Sequence, residues 1–259
     1  MAGVVSSSAA HALRVGNDGS LESWALLPSG NRFGQLCSGR ADRATAPGQA
    51  HALVVAGGGD AAAAGGDAAT AGGVAAAAAG GRADAGHSVF ATRLGAVFAC
   101  GCDRWQQLGL GSGLAGGGYT WKDGRIWQPQ PCLVAALAHA KIVDVAAGAD
   151  HSVALADNGT VFTWGRGDKG QLSASAKPFL GPPRKCDALS SGNTVAVAAE
   201  GDCTCAWLLA GAAPGAPGDA PTDAGARGRA VCIGACARLR LVLTAQLVDK
   251  AARLEAGPR

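Results

Sequence analysis

The chain has 259 residues and is 48% hydrophobic, but much of that share is alanine and only 5% is aromatic. The core per residue is therefore thin, and the length allows one or two domains. A net charge of +3 spread along the chain, with no lysine–arginine block, argues against a nucleic-acid or membrane-surface role, and no run of 18 apolar residues suggests a membrane-crossing helix.

In chain order, residues 1–55 read as a first repeat. His11 lies eight residues before Gly19, Trp24 follows five residues after that glycine, and Gly34-Gln35-Leu36 closes the copy. Residues 56–86 are low in complexity: 25 of the 31 are Ala or Gly and none is aromatic. Such a stretch buries too little to fix its conformation, so it reads as a mostly flexible insertion whose end re-enters the next copy. Residues 87–209 hold two clear copies and one eroded copy. His87-Ser88-Val89, Gly95, Val97-Phe98, Gly101 and Gln107-Leu108 recur without a gap as His151-Ser152-Val153, Gly159, Val161-Phe162, Gly165 and Gln171-Leu172. Identical offsets over more than twenty residues mean one structural unit used repeatedly. In the copy from Ile142 to Leu172, Val153 and Leu155 share a face by period-two alternation, and Thr160 to Trp164 is the return strand. Asn158-Gly159 between them predicts a hairpin with a type I′ turn. The eroded copy begins near Val195, with Cys203 where a histidine stands elsewhere. Residues 210–230, rich in Ala, Gly and Pro, read as a linker, and residues 231–259 as a C-terminal segment whose apolar positions from Ala237 to Leu254 predict a helix.

Each unit offers two firm strands and one or two shorter ones. So small a sheet cannot bury its faces alone and must stack on its neighbours. The solution is a set of four-stranded blades. The fold class is all-β: β-propeller blades in an incomplete ring of three to four recognisable units.

These residues resemble the repeat of the regulator of chromosome condensation family. The run Val145 to Leu172 carries its Ala-Gly-x-x-His-Ser, Gly-turn, Val-Phe-x-Trp-Gly and Gly-Gln-Leu pattern. The copy from Gly86 to Gly111 differs in having Cys100 where Trp164 stands and Gln106 where Gly170 stands. The resemblance implies a propeller that in the family usually has seven blades, more than this chain's copies supply, so the ring is truncated, degenerate or completed by another chain. It also implies a protein-binding role. A second role it implies is guanine-nucleotide exchange on a Ran-like small GTPase, which stabilises the nucleotide-free GTPase and needs no catalytic triad.

Repetition decides how most of the prominent residues read. His11, His87 and His151, the turn glycines Gly95, Gly159 and Gly165, and Gln35, Gln107 and Gln171 recur once per copy, so they serve the scaffold and not catalysis or metal binding. Non-repeated or exposed charged and aromatic positions are the interaction candidates. They are Asp103, Arg104 and Trp105 after one return strand, Arg166, Asp168 and Lys169 after the next, and Tyr119, Trp121, Arg125 and Trp127 between the two copies. That last group reads either as a binding loop or as an outer strand packing its rings on the blade beneath. Cys100-Gly-Cys102, Cys203-Thr-Cys205 and Cys232-x-x-x-Cys236 read as small buried side chains, and no phosphate-binding glycine motif occurs. Nine cysteines without a secretory signal predict free thiols in a reducing compartment, cytoplasm or nucleus. The chain is thus expected to be a non-enzymatic binding module. No cofactor or metal is expected, and its partner is another protein, a small GTPase in the alternative reading, with self-association if the ring is incomplete.

Overall fold

The computed structural model describes residues 4–7, 11–16, 21–25, 50–53, 73–82, 85–111, 120–122, 125–172, 181–209, 228–237 and 239–255. Within them, four antiparallel sheets follow one another along the chain as four blades. Blade one is β1 (Val4–Ser7), β2 (His11–Val15), β3 (Leu21–Ala25) and β4 (Ala50–Leu53), in that order across the sheet. Blade two is β5 (Val74–Gly80), β6 (His87–Thr92) and β7 (Val97–Cys102), followed by the hairpin β8 (Thr120–Lys122) and β9 (Arg125–Leu133), with β9 beside β7. Blade three is β10 (Ile142–Ala147), β11 (His151–Ala156), β12 (Val161–Gly165) and the short β13 (Arg184–Lys185). Blade four has three strands, β14 (Thr194–Glu200), β15 (Cys203–Leu209) and β16 (Gly228–Gly234), and is followed by helix α1 (Arg240–Glu255).

Three differences from the sequence reading have physical causes. The span 56–86, read as an insertion, supplies β5, the first strand of blade two. Its alanines suit the crowded space between blades: Ala78 packs toward blade three while Ala77 and Ala79 pack toward blade one. The strand β16 occupies 228–234, so it takes the end of the expected linker and the start of the expected helical segment. The hairpin at 157–159 forms, but its turn is not type I′. Only Gly159 has positive φ, at 80°, and Gly159 N–H donates to Ala156 C=O while Ala156 N–H donates to Thr160 C=O. This is a three-residue loop closed by a glycine bulge. Blade two repeats it at Thr92–Ala96, with Gly95 at φ 90°.

Alternation along each second strand assigns its side chains to two neighbours. In β11, Val153 and Leu155 pack with Val197 and Ala206 of blade four, whereas Ala154 and Ala156 pack with blade two. In β15, Ala206 faces blade three, while Cys203, Cys205 and Trp207 face Leu243, Leu247 and Ala251 of α1. The helix therefore covers the face of blade four that points away from blade three. Lys250 fastens it there: its Nζ lies 2.9 Å from each Asp144 carboxylate oxygen and 2.8 Å from Val197 C=O.

Candidate interaction face

The buried polar groups come first, because they decide what is scaffold. His11, His87 and His151 are fully buried at the start of their strands. Each ring reaches the hydroxyl of the following blade: His11 Nε2 lies 2.8 Å from Ser88 Oγ, His87 Nε2 3.0 Å from Ser152 Oγ, and His151 Nε2 2.8 Å from Thr204 Oγ1. Ser152 Oγ donates to Gln107 C=O at 2.7 Å and Thr204 Oγ1 to Gln171 C=O at 2.8 Å. Ser152 and Thr204 each have one hydroxyl proton and spend it on a carbonyl, so they accept from His87 and His151, which must carry their protons on Nε2. These Ser–His pairs therefore resemble a nucleophile and its base only in composition. The ring is a donor and the hydroxyl is sealed from solvent, so neither can start acyl transfer. Burial holds His11 and His151 down to about 3 and His87 to about 4, so all three rings are neutral near pH 7.

The repeated glutamines close the same network. Gln107 Oε1 accepts from Trp105 N–H at 2.7 Å and Gln171 Oε1 from Lys169 N–H at 2.8 Å, each tying its own loop. Gln107 C=O also accepts from Trp164 Nε1 at 2.8 Å. Gln35 lies outside the described residues. Gly80 and Gly148 are required by close approach: a Cβ at Gly148 would stand 2.1 Å from His151 Cε1, and one at Gly80 2.5 Å from Gly148 O. Gln106 adopts φ 56° where Gly170 has φ 79°. A side chain in the left-handed region costs about 1–2 kcal/mol, so Gln106→Gly should raise unfolding stability by about 0.5–1 kcal/mol after the entropy cost of glycine. Urea titration of the two proteins would measure it.

At the first and last blades this network changes. Ala12 stands where Ser88, Ser152 and Thr204 stand, and Cys203 stands where the histidines stand. Blade one therefore has a ring for blade two but no hydroxyl to receive one, and blade four has the reverse.

Strands alternate in direction, so in blades two and three the loops before the second strand and after the third strand lie at one end of the arc. The candidates from blades two and three meet there. The guanidinium carbon of Arg166 lies 4.8 Å and that of Arg104 5.4 Å from the centroid of the Trp105 ring. Arg166 also bonds Asp168 at 2.8 Å and Asp150 at 3.4 Å, and Arg82 reaches Asp150 at 3.4 Å. The bond from Arg166 holds the Asp168 carboxyl below its usual range and raises Arg166 in turn. Trp105 is half-buried, and Arg104 and Lys169 are exposed. Two members of the expected set lie elsewhere. Asp103, read as an exposed charge, is 7% exposed, with Oδ1 accepting from Leu108 N–H at 2.9 Å to shape the loop. Trp127 is 4% exposed in β9, opposite Cys102 of β7, as a ring packed in an outer strand would be. Trp121 and Arg125 lie in β8 and β9, and Tyr119 is outside the described residues. Sequence reasoning missed Arg82 and Asp150, which join the face from the separate loops that precede β6 and β11.

The cysteines correct a further expectation. Cys132 and Cys186 are free thiols, but Cys203 pairs with Cys236, Cys205 pairs with Cys232, and Cys100 is disulfide-bonded as well. The spacing gave no sign of this, because β16 brings Cys232 beside Cys205 across a long connection.

Residues 95–155 and 142–171 each match the regulator of chromosome condensation (RCC1) repeat. Blades two and three thus carry this repeat over residues 95–171. Over 115 residues the chain is 31% identical to the RCC1 domain-containing protein RUG3, mitochondrial, of Arabidopsis thaliana, covering 44% of this chain and 23% of that protein. Over 103 residues it is 34% identical to the secretion-regulating guanine nucleotide exchange factor of Bos taurus, covering 38% of this chain and 20% of that one. The crystal structure of Prp20p from Saccharomyces cerevisiae superposes with a TM-score of 0.55 at 24% identity, over 77% of this chain and 42% of that one. The chain thus spans less than a quarter of these curated relatives and less than half of that structure. Its four blades form an arc of a β-propeller, and among the described residues no helix is long and apolar enough to cross a membrane.

Proposed function

We propose that this arc is a non-enzymatic protein-interaction module whose working surface is the loop end around Trp105. The observation that carries this reading is the Arg104–Trp105–Arg166 group, where two guanidiniums lie over one half-buried indole at the junction of adjacent blades. Trp and Arg dominate interface hot spots because they offer large area, planar donors and little entropy loss. Arg82, Arg104, Arg166 and Lys169 outnumber Asp150 and Asp168, so the surface suits a partner presenting carboxylates beside a flat apolar patch. The second reading, nucleotide exchange on a Ran-like small GTPase, draws support from the exchange factor among the relatives. We further propose an intracellular location, in cytoplasm or nucleus, where the disulfides of blade four would be open.

Arg104→Ala with Lys169→Ala removes two exposed cations that hold no loop together. The double variant should fold and melt as the parent does, yet lose at least about tenfold in partner affinity if each cation contributes about 0.7 kcal/mol or more at the interface. Affinity capture from cells with parent and variant at equal loading tests this, and equal recovery of the same partners would sink it. Release of a fluorescent guanine nucleotide from a Ran-type GTPase, with and without the chain, separates the exchange reading from simple binding.

A further inference from the structure

Four sulfurs gather between blade four and the start of α1. Cys203 and Cys205 are two residues apart in β15 and share its helix-facing side. Cys232 is the cross-strand neighbour of Cys205 in β16. Gly234, at φ 91°, turns the chain so that Cys236 comes back over Cys203. The sulfurs of Cys203 and Cys205 are 3.7 Å apart, and those of Cys203, Cys205 and Cys236 all lie within 4.8 Å of one another. In a tetrahedral ZnS₄ centre with Zn–S bonds of about 2.3 Å, the sulfur–sulfur edges are ~3.8 Å. The edge between the two cysteine pairs already has that length.

We propose that, with its four thiols reduced, this cluster is a structural Zn²⁺ site with Cys203, Cys205, Cys232 and Cys236 as its ligands. Thiols or a phosphine open each disulfide by supplying two electrons and two protons, and Zn²⁺ then displaces thiol protons as the thiolates bind. An all-sulfur set of four suits zinc over harder cations and leaves no open position for chemistry. Two strands give what a metal-binding knuckle gives elsewhere: residues i and i+2 on one face, and a cross-strand neighbour beside them. Cys203 and Cys205 are fully buried and Cys232 and Cys236 partly so, which leaves an entry side. Cys236 C=O also accepts from Leu239 and Arg240 N–H at 3.0 and 2.9 Å, at the first turn of α1. The metal would therefore bind the helix to the blade. In a reducing compartment the disulfides would be open, and the ion would replace them as the clamp.

The test uses the full chain purified with a phosphine reductant, loaded with Zn²⁺ and passed over a weak chelator. Elemental analysis should give one zinc per chain, and Co²⁺ in its place should give the absorption of a tetrahedral thiolate centre. Cys205→Ser should weaken zinc binding by more than about a hundredfold, since loss of even an outer-shell partner costs 10–100-fold. Cys102→Ser and Cys186→Ser, outside the cluster, should leave it unchanged. Zinc should raise the melting temperature of the reduced parent, because four preplaced thiolates in the folded form bind it more tightly than the scattered thiols of the unfolded chain. A reduced, folded parent that retains no zinc above the buffer blank overturns the proposal. So does zinc retained equally by Cys205→Ser, or a Co²⁺ spectrum without thiolate bands.

Discussion

Lowering the pH from 7 to 5 is expected to drop the melting temperature of this protein steeply, and the three inter-blade histidines set the slope. In the folded chain burial holds His11 and His151 to about 3 and His87 to about 4, against 6.5 for an exposed ring. Below pH 6.5 the unfolded chain takes up a proton at each ring and the folded chain does not. Stability is therefore complete above about 6.5 and is lost as pH falls, until the folded rings titrate near 4 to 3. One ring is worth about 1.4 kcal/mol per pH unit, so three give about 4 kcal/mol per unit. A domain of ordinary stability, about 5–15 kcal/mol, would lose much of it by pH 5. Circular dichroism melts at half-unit pH intervals measure the slope. His151→Asn, which keeps a polar group but does not titrate, should reduce it by about a third. A melting temperature flat between pH 7 and 5 would show that these rings are not held neutral.

Gly148→Ala should be among the most damaging single-methyl additions in the chain. Its Cβ would meet His151 Cε1 at 2.1 Å, His151 Nδ1 at 2.5 Å and Gly201 O at 2.7 Å, and one of these is backbone. The ring must move to make room, and moving it breaks its bond to Thr204. Overpacking and a lost buried hydrogen bond together cost about 3–5 kcal/mol. Gly192→Ala adds the same methyl where nothing lies within 4 Å and should change stability by less than about 0.5 kcal/mol. Urea titrations of both variants decide the matter. Equal midpoints would mean that the blades can separate at this junction without cost.

The blade architecture was legible because repetition multiplies a weak signal. His151 alone is an ordinary histidine, but three copies at one offset mark a shared scaffold. The second and third strands carried the pattern because they face a neighbour on both sides. The first strand of blade two was hidden, since alanines in 74–80 read as low complexity until the close spacing of the blades explains them. Asn158-Gly159 marked the hairpin but not its turn type, which depends on Asp157 joining the loop. Of the interaction face, Arg104, Trp105, Arg166 and Asp168 were visible as charges and an aromatic after return strands. Their convergence was not, because it depends on which loops the strand directions bring to the same end. Burial likewise separated Asp103 and Trp127 from that group on grounds no spacing reveals.

The histidine-to-hydroxyl bonds have a sense of direction. In His-Ser or Cys-Thr, adjacent residues of one strand point opposite ways, so one letter addresses the blade ahead and the next letter the blade behind. The dipeptide differs with position in the chain: His-Ala stands in blade one, His-Ser in blades two and three, and Cys-Thr in blade four. Cys203, turned toward α1 and bonded to Cys236, offers no imidazole to a further blade, and Ala12 offers no hydroxyl to a preceding one. Extending the series by design would start with the same two letters, restoring an imidazole at 203 or a hydroxyl at 12.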